Sequence, residues 1–292
     1  TMLEDARSSM TTGPVTLASS AAAALGWFTL TAASAPMLKE ANLAMACGES
    51  WLMLSELPFW VKVTLPLTTL QPLGKVPGAG AAALACLDLL VDMGLPIENV
   101  WVTDLAGVVY EGRTELMDPE KIRFSQKTDA RSLAEVIGGA DVFLGLSAAG
   151  VLKPEMVKTM ADQPLIFALA NPNPEITPEL AKEVRPDCVM ATGRTDYPNQ
   201  VNNVLCFPFI FRGAIDVGAT TITRSMEIAA VNALAELARQ EQSDIVASAY
   251  GIKNLSFGPE YLIPKPFDSR LIVRIAPAVA RAAMEDGVAT RP

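Results

Sequence analysis

The sequence contains no histidine, and this absence excludes more chemistry than any other feature of the composition. A Ser-His-Asp or Cys-His nucleophile, an HExxH zinc site and a histidine general base all require that side chain. Cysteine is also scarce, and its four residues lie far apart without CxxC spacing: Cys47, Cys86, Cys188 and Cys206. This spacing predicts neither a metal cluster nor a disulfide framework and is typical of a protein from the reducing cytoplasm.

The sequence has fewer basic residues than acidic ones. The 23 basic residues are outnumbered by 32 acidic ones, which gives a net charge of −9, and no cluster of Lys and Arg interrupts that balance. We therefore expect no nucleic acid among the partners. With 50% hydrophobic and 19% charged residues, the composition is that of a packed globular protein.

Residues 8–38 carry no charged side chain. Within them, residues 19–35 (SSAAAALGWFTLTAASA) are long enough for the apolar core of a signal peptide or for a membrane-spanning helix. Alanine dominates that segment, Ser and Thr dilute it and Gly26 interrupts it, so membrane insertion would gain little and is not expected. The first 77 residues carry nine charged side chains, whereas the remaining 215 carry 46. Prolines interrupt every apolar run between residues 51 and 78, so no strand or helix is predicted there.

Beyond residue 77, short apolar runs alternate with amphipathic segments. The predicted strands are 100–103, 142–146, 165–169 and 188–191, and the predicted helices are 80–93, 131–137, 154–160, 178–184, 224–240 and 271–284. Thr177-Pro178 supplies a helix N-cap followed by a first-turn proline. This alternation predicts an α/β fold, a Rossmann-type doubly wound parallel sheet with additional C-terminal helices.

A GxGxxA motif opens the first predicted helix, with Gly78, Gly80 and Ala83 at its defining positions. Such a turn lets a backbone approach a pyrophosphate at a helix N-terminus. The preceding segment, 73–77 (LGKVP), is a poor strand because it ends in proline. Asp104 ends the next predicted strand, where a carboxylate can bind an adenosine ribose. Dinucleotide binding is therefore predicted, although Asp104 also fits a solvated turn before Gly107.

Polar residues follow the later predicted strands at the edge where ligands bind to a doubly wound sheet. Ser147 follows the second strand, Asn171 follows the third, and residues 192–203 follow the fourth. The dense amides of residues 197–203 (YPNQVNN) lie beside an apolar run, so we expect some to be buried and to need partners. The alternative is that these segments are ordinary turns.

Residues 78–292 resemble the bacterial NADP-dependent malic enzymes, in particular the large type that carries a phosphotransacetylase-like C-terminal domain. The matching segments are GAGAAALACLDLL, TDLAGVVYEGR, ADVFLGLSAAGVL, FALANPNPEI, ATGRTDYPNQVNNVLCFPFIFRGA and the tail from FGPEYLIPKPFDSRL onward. The resemblance implies the cofactor-binding domain of an enzyme that oxidises malate to oxaloacetate and decarboxylates this to pyruvate with Mg²⁺ or Mn²⁺. It also implies a homo-oligomer for the complete enzyme.

The resemblance implies a cofactor site formed by Gly78, Gly80, Ala83, Asp104, Ser147, Asn171 and Asn203. Of these, Asn171 and Asn203 match the asparagines that also face malate. NADP is the expected cofactor, with NAD tolerated, although Asp104 favours the 2′-hydroxyl of NAD. Accommodating a 2′-phosphate therefore requires a nearby cation such as Arg113, Lys121 or Lys127.

The resemblance does not extend into residues 1–77. The family's general acid tyrosine, base lysine and metal-binding carboxylates precede the cofactor domain, partly in a Pro-Val-Phe-His-Asp-Asp segment, and none is recognisable here. We therefore assign no catalytic or metal-binding residue to this chain and expect it to be incomplete and inactive alone. The alternatives are another NAD(P)-dependent dehydrogenase and a non-catalytic nucleotide-binding or interaction domain.

Residues 7–12, Arg-Ser-Ser-Met-Thr-Thr, suggest an origin for the unmatched region. The codons CCG GTC TTC CAT GAC GAC encode Pro-Val-Phe-His-Asp-Asp, and reading them from the second base gives CGG TCT TCC ATG ACG AC, which with any following base encodes those six residues. We hypothesise that residues 7 to about 77 are read out of frame or are poorly ordered. Sequencing the coding DNA is expected to find malic-enzyme-like sequence in another frame of this stretch. Its absence from both other frames would show the hypothesis to be wrong.

Overall fold

The computed structural model describes residues 63–67, 81–240 and 256–291. Several sequence predictions therefore lie outside the described residues: those for residues 1–62, the 73–77 segment, and Gly78 and Gly80 of the motif. In the described part of the chain, no helix is long and apolar enough to cross a membrane.

A six-stranded sheet forms the centre of the fold, in the order β3-β2-β1-β4-β5-β6. All neighbouring strands are parallel except the β2–β3 pair, which is antiparallel. The strands are β1 (Val63–Leu67), β2 (Val100–Asp104), β3 (Gly107–Val108), β4 (Val142–Gly145), β5 (Leu165–Ala168) and β6 (Val189–Thr192). The predicted Rossmann-type α/β class is confirmed.

Eight α-helices accompany the sheet in the described residues. They are α1 (Ala81–Asp92), α2 (Pro119–Ile122), α3 (Leu133–Val136), α4 (Pro154–Val157), α5 (Pro178–Val184), α6 (Phe207–Asp216), α7 (Arg224–Arg239) and α8 (Arg270–Glu285). The six predicted helices are all present, with boundaries that differ by a few residues. At α5 the Thr177 side chain accepts from the Leu180 backbone N–H, so the predicted cap also forms.

The sheet is buried because its strands are almost entirely apolar. Every residue of β4 is buried, as expected for a central parallel strand covered on both faces. Helices α6, α7 and α8 form a second apolar core beside the sheet. Gly213 lets two of them approach closely, because a Cβ there would lie 2.4 Å from the Ala276 carbonyl oxygen.

One prediction about the fold is wrong. No strand was expected between residues 51 and 78, yet β1 lies at the centre of the sheet and pairs with both β2 and β4. Its proline is tolerated because the β4 pairing covers only Val63 and Thr64. At Pro66 the strand therefore has β2 as its one paired neighbour, and the missing N–H costs less there than between two strands.

Candidate functional site

The carboxyl ends of the parallel strands form one edge of the sheet, and the chain brings the predicted polar residues to it. Strand order reverses between β1 and β4, and doubly wound sheets bind ligands in the crevice at such a switch point. Asp104 is the last residue of β2, Ser147 follows β4 and Asn171 follows β5. The predicted position of Ser147, Asn171 and the 192–203 segment at the carboxyl ends of parallel strands agrees with the sheet topology.

Asp104 lies in a buried charge cluster. Both of its carboxylate oxygens accept from the Arg113 guanidinium at 2.6 Å. Oδ2 also accepts from Lys121 Nζ at 3.0 Å, and Oδ1 accepts from the Ala106 backbone N–H at 2.9 Å. The side chains of Arg113, Lys121 and Asp104 are only 2%, 10% and 4% exposed. Arg113 and Lys121 are thus the neighbouring cations anticipated from the sequence, whereas Lys127 is exposed and is not a partner.

These contacts leave the Asp104 carboxylate without spare capacity. Each oxygen already accepts two hydrogen bonds, which is as many as its lone pairs favour. A ribose hydroxyl could bind only by displacing one of these donors. The cluster of one carboxylate and two cations carries a net positive charge at the carboxyl end of β2.

Lys121 keeps part of its hydrogen-bonding capacity. Its ammonium donates to Asp104 and, at 2.6 Å, to the Leu116 carbonyl, while a lysine ammonium has three protons. Arg113 is more fully committed, because it also donates to the carbonyls of Gly107, Val108 and Glu115. In this cluster Lys121 is therefore better placed than Arg113 to reach an additional anion.

A second buried carboxylate, that of Glu175, joins the loops that follow β4 and β5. It is 0% exposed. Its Oε1 accepts from the backbone N–H of Ser147 at 2.8 Å and from the Ser147 hydroxyl at 3.2 Å. Its Oε2 accepts from the Ala170 backbone N–H at 3.0 Å. Burial raises the pKa of this carboxyl, and the hydrogen bonds offset that rise only in part.

The predicted substrate asparagines both lie at the surface on loops at this edge. Asn171 is exposed and precedes Pro172 through a cis peptide bond. Asn203 is exposed at the start of a 3₁₀ turn, Asn203–Leu205, which the Asn202 side chain caps. The chain returns to the end of β6 before this turn, because the Val201 N–H donates to the Thr192 carbonyl at 2.8 Å.

Burial of the amides in residues 197–203 is confirmed at Asn199, which is 2% exposed. Its amide group donates to the carbonyls of Met190 and Pro259, and its oxygen accepts from the Leu262 N–H. Asn199 thus fastens the loop after β6 to the C-terminal part of the chain. Its three contacts are internal, so its role is to hold the loop that carries Asn203.

Ala83 of the glycine motif lies within α1 and is 0% exposed in the main core cluster. A small residue at this position allows close packing of helix against sheet. No group of three or more Cys, Asp or Glu side chains that could hold a metal occurs in the described ranges.

Glu175 was missed by sequence reasoning. No local pattern marks it, since it lies between a turn and the cap of α5. The steric signal was Gly145, where a Cβ would lie 2.5 Å from the Glu175 carboxyl carbon. A glycine that ends a buried strand is a place of close approach, but the sequence does not say what approaches.

A parallel sheet with a switch point, and with these polar residues at its carboxyl edge, defines a Rossmann-type dinucleotide-binding domain. The family model described as "Malic enzyme, NAD binding domain" matches residues 74–256. The chain belongs to this family, and the resemblance inferred from its motifs is confirmed.

Two curated relatives show how much of a malic enzyme the chain represents. It is 65% identical over 215 residues to the NAD-dependent malic enzyme of Rhizobium meliloti, covering 74% of this chain and 28% of that protein. It is 65% identical over 218 residues to the NADP-dependent malic enzyme of Escherichia coli, covering 74% and 29%. The chain thus spans less than a third of the length of either relative.

The fold is also similar to that of a solved malic enzyme. The crystal structure of the Entamoeba histolytica malic enzyme matches with a TM-score of 0.67 and 32% identity, covering 86% of this chain and 49% of that one. The match supports the Rossmann-type fold of the chain.

Proposed function

We propose that this chain is the cofactor-binding domain of an enzyme that oxidises malate and decarboxylates the product to pyruvate and CO₂. The observation that carries the proposal is the carboxyl edge of the sheet, where Ser147, Asn171 and Asn203 lie on loops at the ends of β4, β5 and β6. The resemblance to malic enzymes implies that nicotinamide and malate meet at this edge.

The proposed part of Asn171 and Asn203 is orientation. An amide group offers two donors and an acceptor, which suits the carboxylates and hydroxyl of malate. Holding that hydroxyl carbon beside a nicotinamide ring is a large part of what hydride transfer requires. The bound dinucleotide supplies the hydride acceptor. Proton transfer and Mg²⁺ or Mn²⁺ binding are proposed for other parts of a complete, homo-oligomeric enzyme.

We further propose that NADP is preferred and NAD tolerated. In a Rossmann-type domain the adenosine ribose lies near the carboxyl end of β2, where the Asp104 cluster has a net positive charge. The Asp104 carboxylate is neutralised by Arg113 and Lys121, so its repulsion of a 2′-phosphate is offset. A proton of Lys121 remains to bind a phosphate oxygen.

A calorimetric titration of the chain with NADP and NAD tests both statements. We expect Lys121→Met to weaken NADP binding about 10- to 150-fold, as for the loss of a hydrogen bond between charged groups of about 1.5–3 kcal/mol. NAD binding should not weaken, since Asp104 keeps its paired contact with Arg113 and gains a free acceptor position for the 2′-hydroxyl.

Lys127→Met is the matched control, because Lys127 is exposed and its loss should leave both affinities unchanged. Binding of neither dinucleotide to the wild-type chain would overturn the proposed function. An equal loss of NAD and NADP binding in Lys121→Met would show that Lys121 acts through the fold and does not contact the 2′-phosphate.

A further inference from the structure

The buried carboxylate of Glu175 has no role in the chemistry proposed above. It lies at the carboxyl edge of the sheet, yet it is 0% exposed and so does not face a ligand. Its partners are the Ser147 hydroxyl and the backbone N–H groups of Ser147 and Ala170. None of these partners is charged. A buried ionised carboxylate held by neutral donors is costly, and this cost points to a specific role.

The two carboxylate oxygens serve different loops. Oε1 holds the loop after β4 through Ser147, and Oε2 holds the loop after β5 through Ala170, the residue before Asn171. The backbone adds to this connection, because Gly150 N–H donates to the Pro174 carbonyl and Leu152 N–H to the Glu175 carbonyl. Glu175 thus connects two segments that carry proposed cofactor-binding residues.

The position of the carboxylate is fixed sterically as well as by hydrogen bonds. A Cβ at Gly145 would lie 2.5 Å from the Glu175 carboxyl carbon and 2.7 and 2.8 Å from its two oxygens. The carboxylate therefore lies directly against the backbone at the end of β4. Only a glycine leaves room for it there.

We infer that Glu175 is a positioning residue of the dinucleotide site, which sets the relative placement of the Ser147 and Asn171 loops. The inference rests on the proposed function for the identity of the ligand. The role of Glu175 in placing the loops depends only on its contacts with Ser147 and Ala170. An experiment can therefore contradict this role without contradicting the proposed ligand, and the reverse.

The protonation state of Glu175 changes the cost of burying it. The neutral carboxyl keeps an accepting carbonyl oxygen and gives up less hydration on burial than the carboxylate does. Burial raises the pKa of Glu175, so the folded chain takes up this proton at a higher pH than the unfolded chain does. The contribution of Glu175 to stability is therefore largest at acidic pH and is lost as the pH rises through its raised pKa.

Glu175→Gln tests the inference, because it preserves shape and replaces one acceptor oxygen by a donor that faces other donors. In the chain without ligand, we expect the backbone amide protons of Ser147 and Ala170 to exchange with solvent at least about tenfold faster than in the wild type. NADP binding should weaken by a similar factor. The pH dependence of unfolding assigned to Glu175 should disappear.

Glu155→Gln is the matched control, since Glu155 is an exposed acid in the first turn of α4; exchange and affinity should both stay at the wild-type values. Gly145→Ala is a second variant that displaces the carboxylate without removing it, and it should reproduce the faster exchange. Unchanged exchange in both Glu175→Gln and Gly145→Ala would overturn the inference. Failure of the wild-type chain to bind a dinucleotide would overturn the proposed function instead.

Discussion

Asp104→Asn is expected to lower the free energy of unfolding by about 3–5 kcal/mol, the range for removing one partner of a buried ion pair. Arg113 and Lys121 would remain buried, with side chains 2% and 10% exposed, and would face a neutral amide. Asparagine has nearly the same size, so the loss would be electrostatic. Equilibrium urea denaturation followed by circular dichroism gives the difference directly.

The matched control is Asp88→Asn. Asp88 also pairs with an arginine at 2.6 Å, but its partner Arg123 is 51% exposed, and surface pairs contribute about 1 kcal/mol or less. The double variant Asp104→Asn with Lys121→Met should recover part of the loss, because it removes one of the unpaired cations. An Asp104→Asn variant as stable as Asp88→Asn would show that the cluster is solvated and carries no such penalty.

The elements that could be predicted from the sequence are those marked by an apolar run or by a helix cap. Strands β4 and β5 are continuous apolar runs, and α5 begins with Thr177 and Pro178 as its cap predicts. Strand β1 was not predictable, because its proline is tolerated only through the arrangement of its neighbours. Strand β3 has two residues, Gly107 and Val108, and so is too short to produce any periodicity.

In the site, too, the overall location could be predicted from the sequence, whereas the individual contacts could not. The location of Asp104, Ser147 and Asn171 on one edge of the sheet follows from the order of strands and helices, because parallel strands end on one side. The partners of each side chain do not follow from that order. Ser147 and Glu175 are 28 residues apart in sequence, and their contact depends on how two loops pack. Sequence patterns identified the cations near Asp104 but not the saturation of its carboxylate.

The second large effect is expected at Gly107, the first residue of β3. We expect Gly107→Ala to lower the free energy of unfolding by about 2–5 kcal/mol, from left-handed backbone strain of about 1–2 and steric overlap of about 1–3. The residue has a φ of +91°, and a Cβ there would lie 1.9 Å from the Arg131 carbonyl oxygen. That oxygen accepts from the Val108 N–H, so moving it away would also break the contact that fastens β3.

Two other glycines allow the backbone strain to be measured separately from the steric overlap. Gly112 has a φ of +84° with nothing within 4 Å of an added Cβ, so Gly112→Ala should cost only the strain, about 1–2 kcal/mol. Gly138 has neither feature, and Gly138→Ala should change stability by less than about 0.5 kcal/mol. Urea denaturation of the three variants should give this order. Equal losses for Gly107→Ala and Gly112→Ala would mean that the Arg131 carbonyl moves at no cost.

Because the Gly107 carbonyl also accepts from Arg113, the larger loss in stability of Gly107→Ala should be accompanied by weaker NADP binding, which Gly138→Ala should leave unchanged.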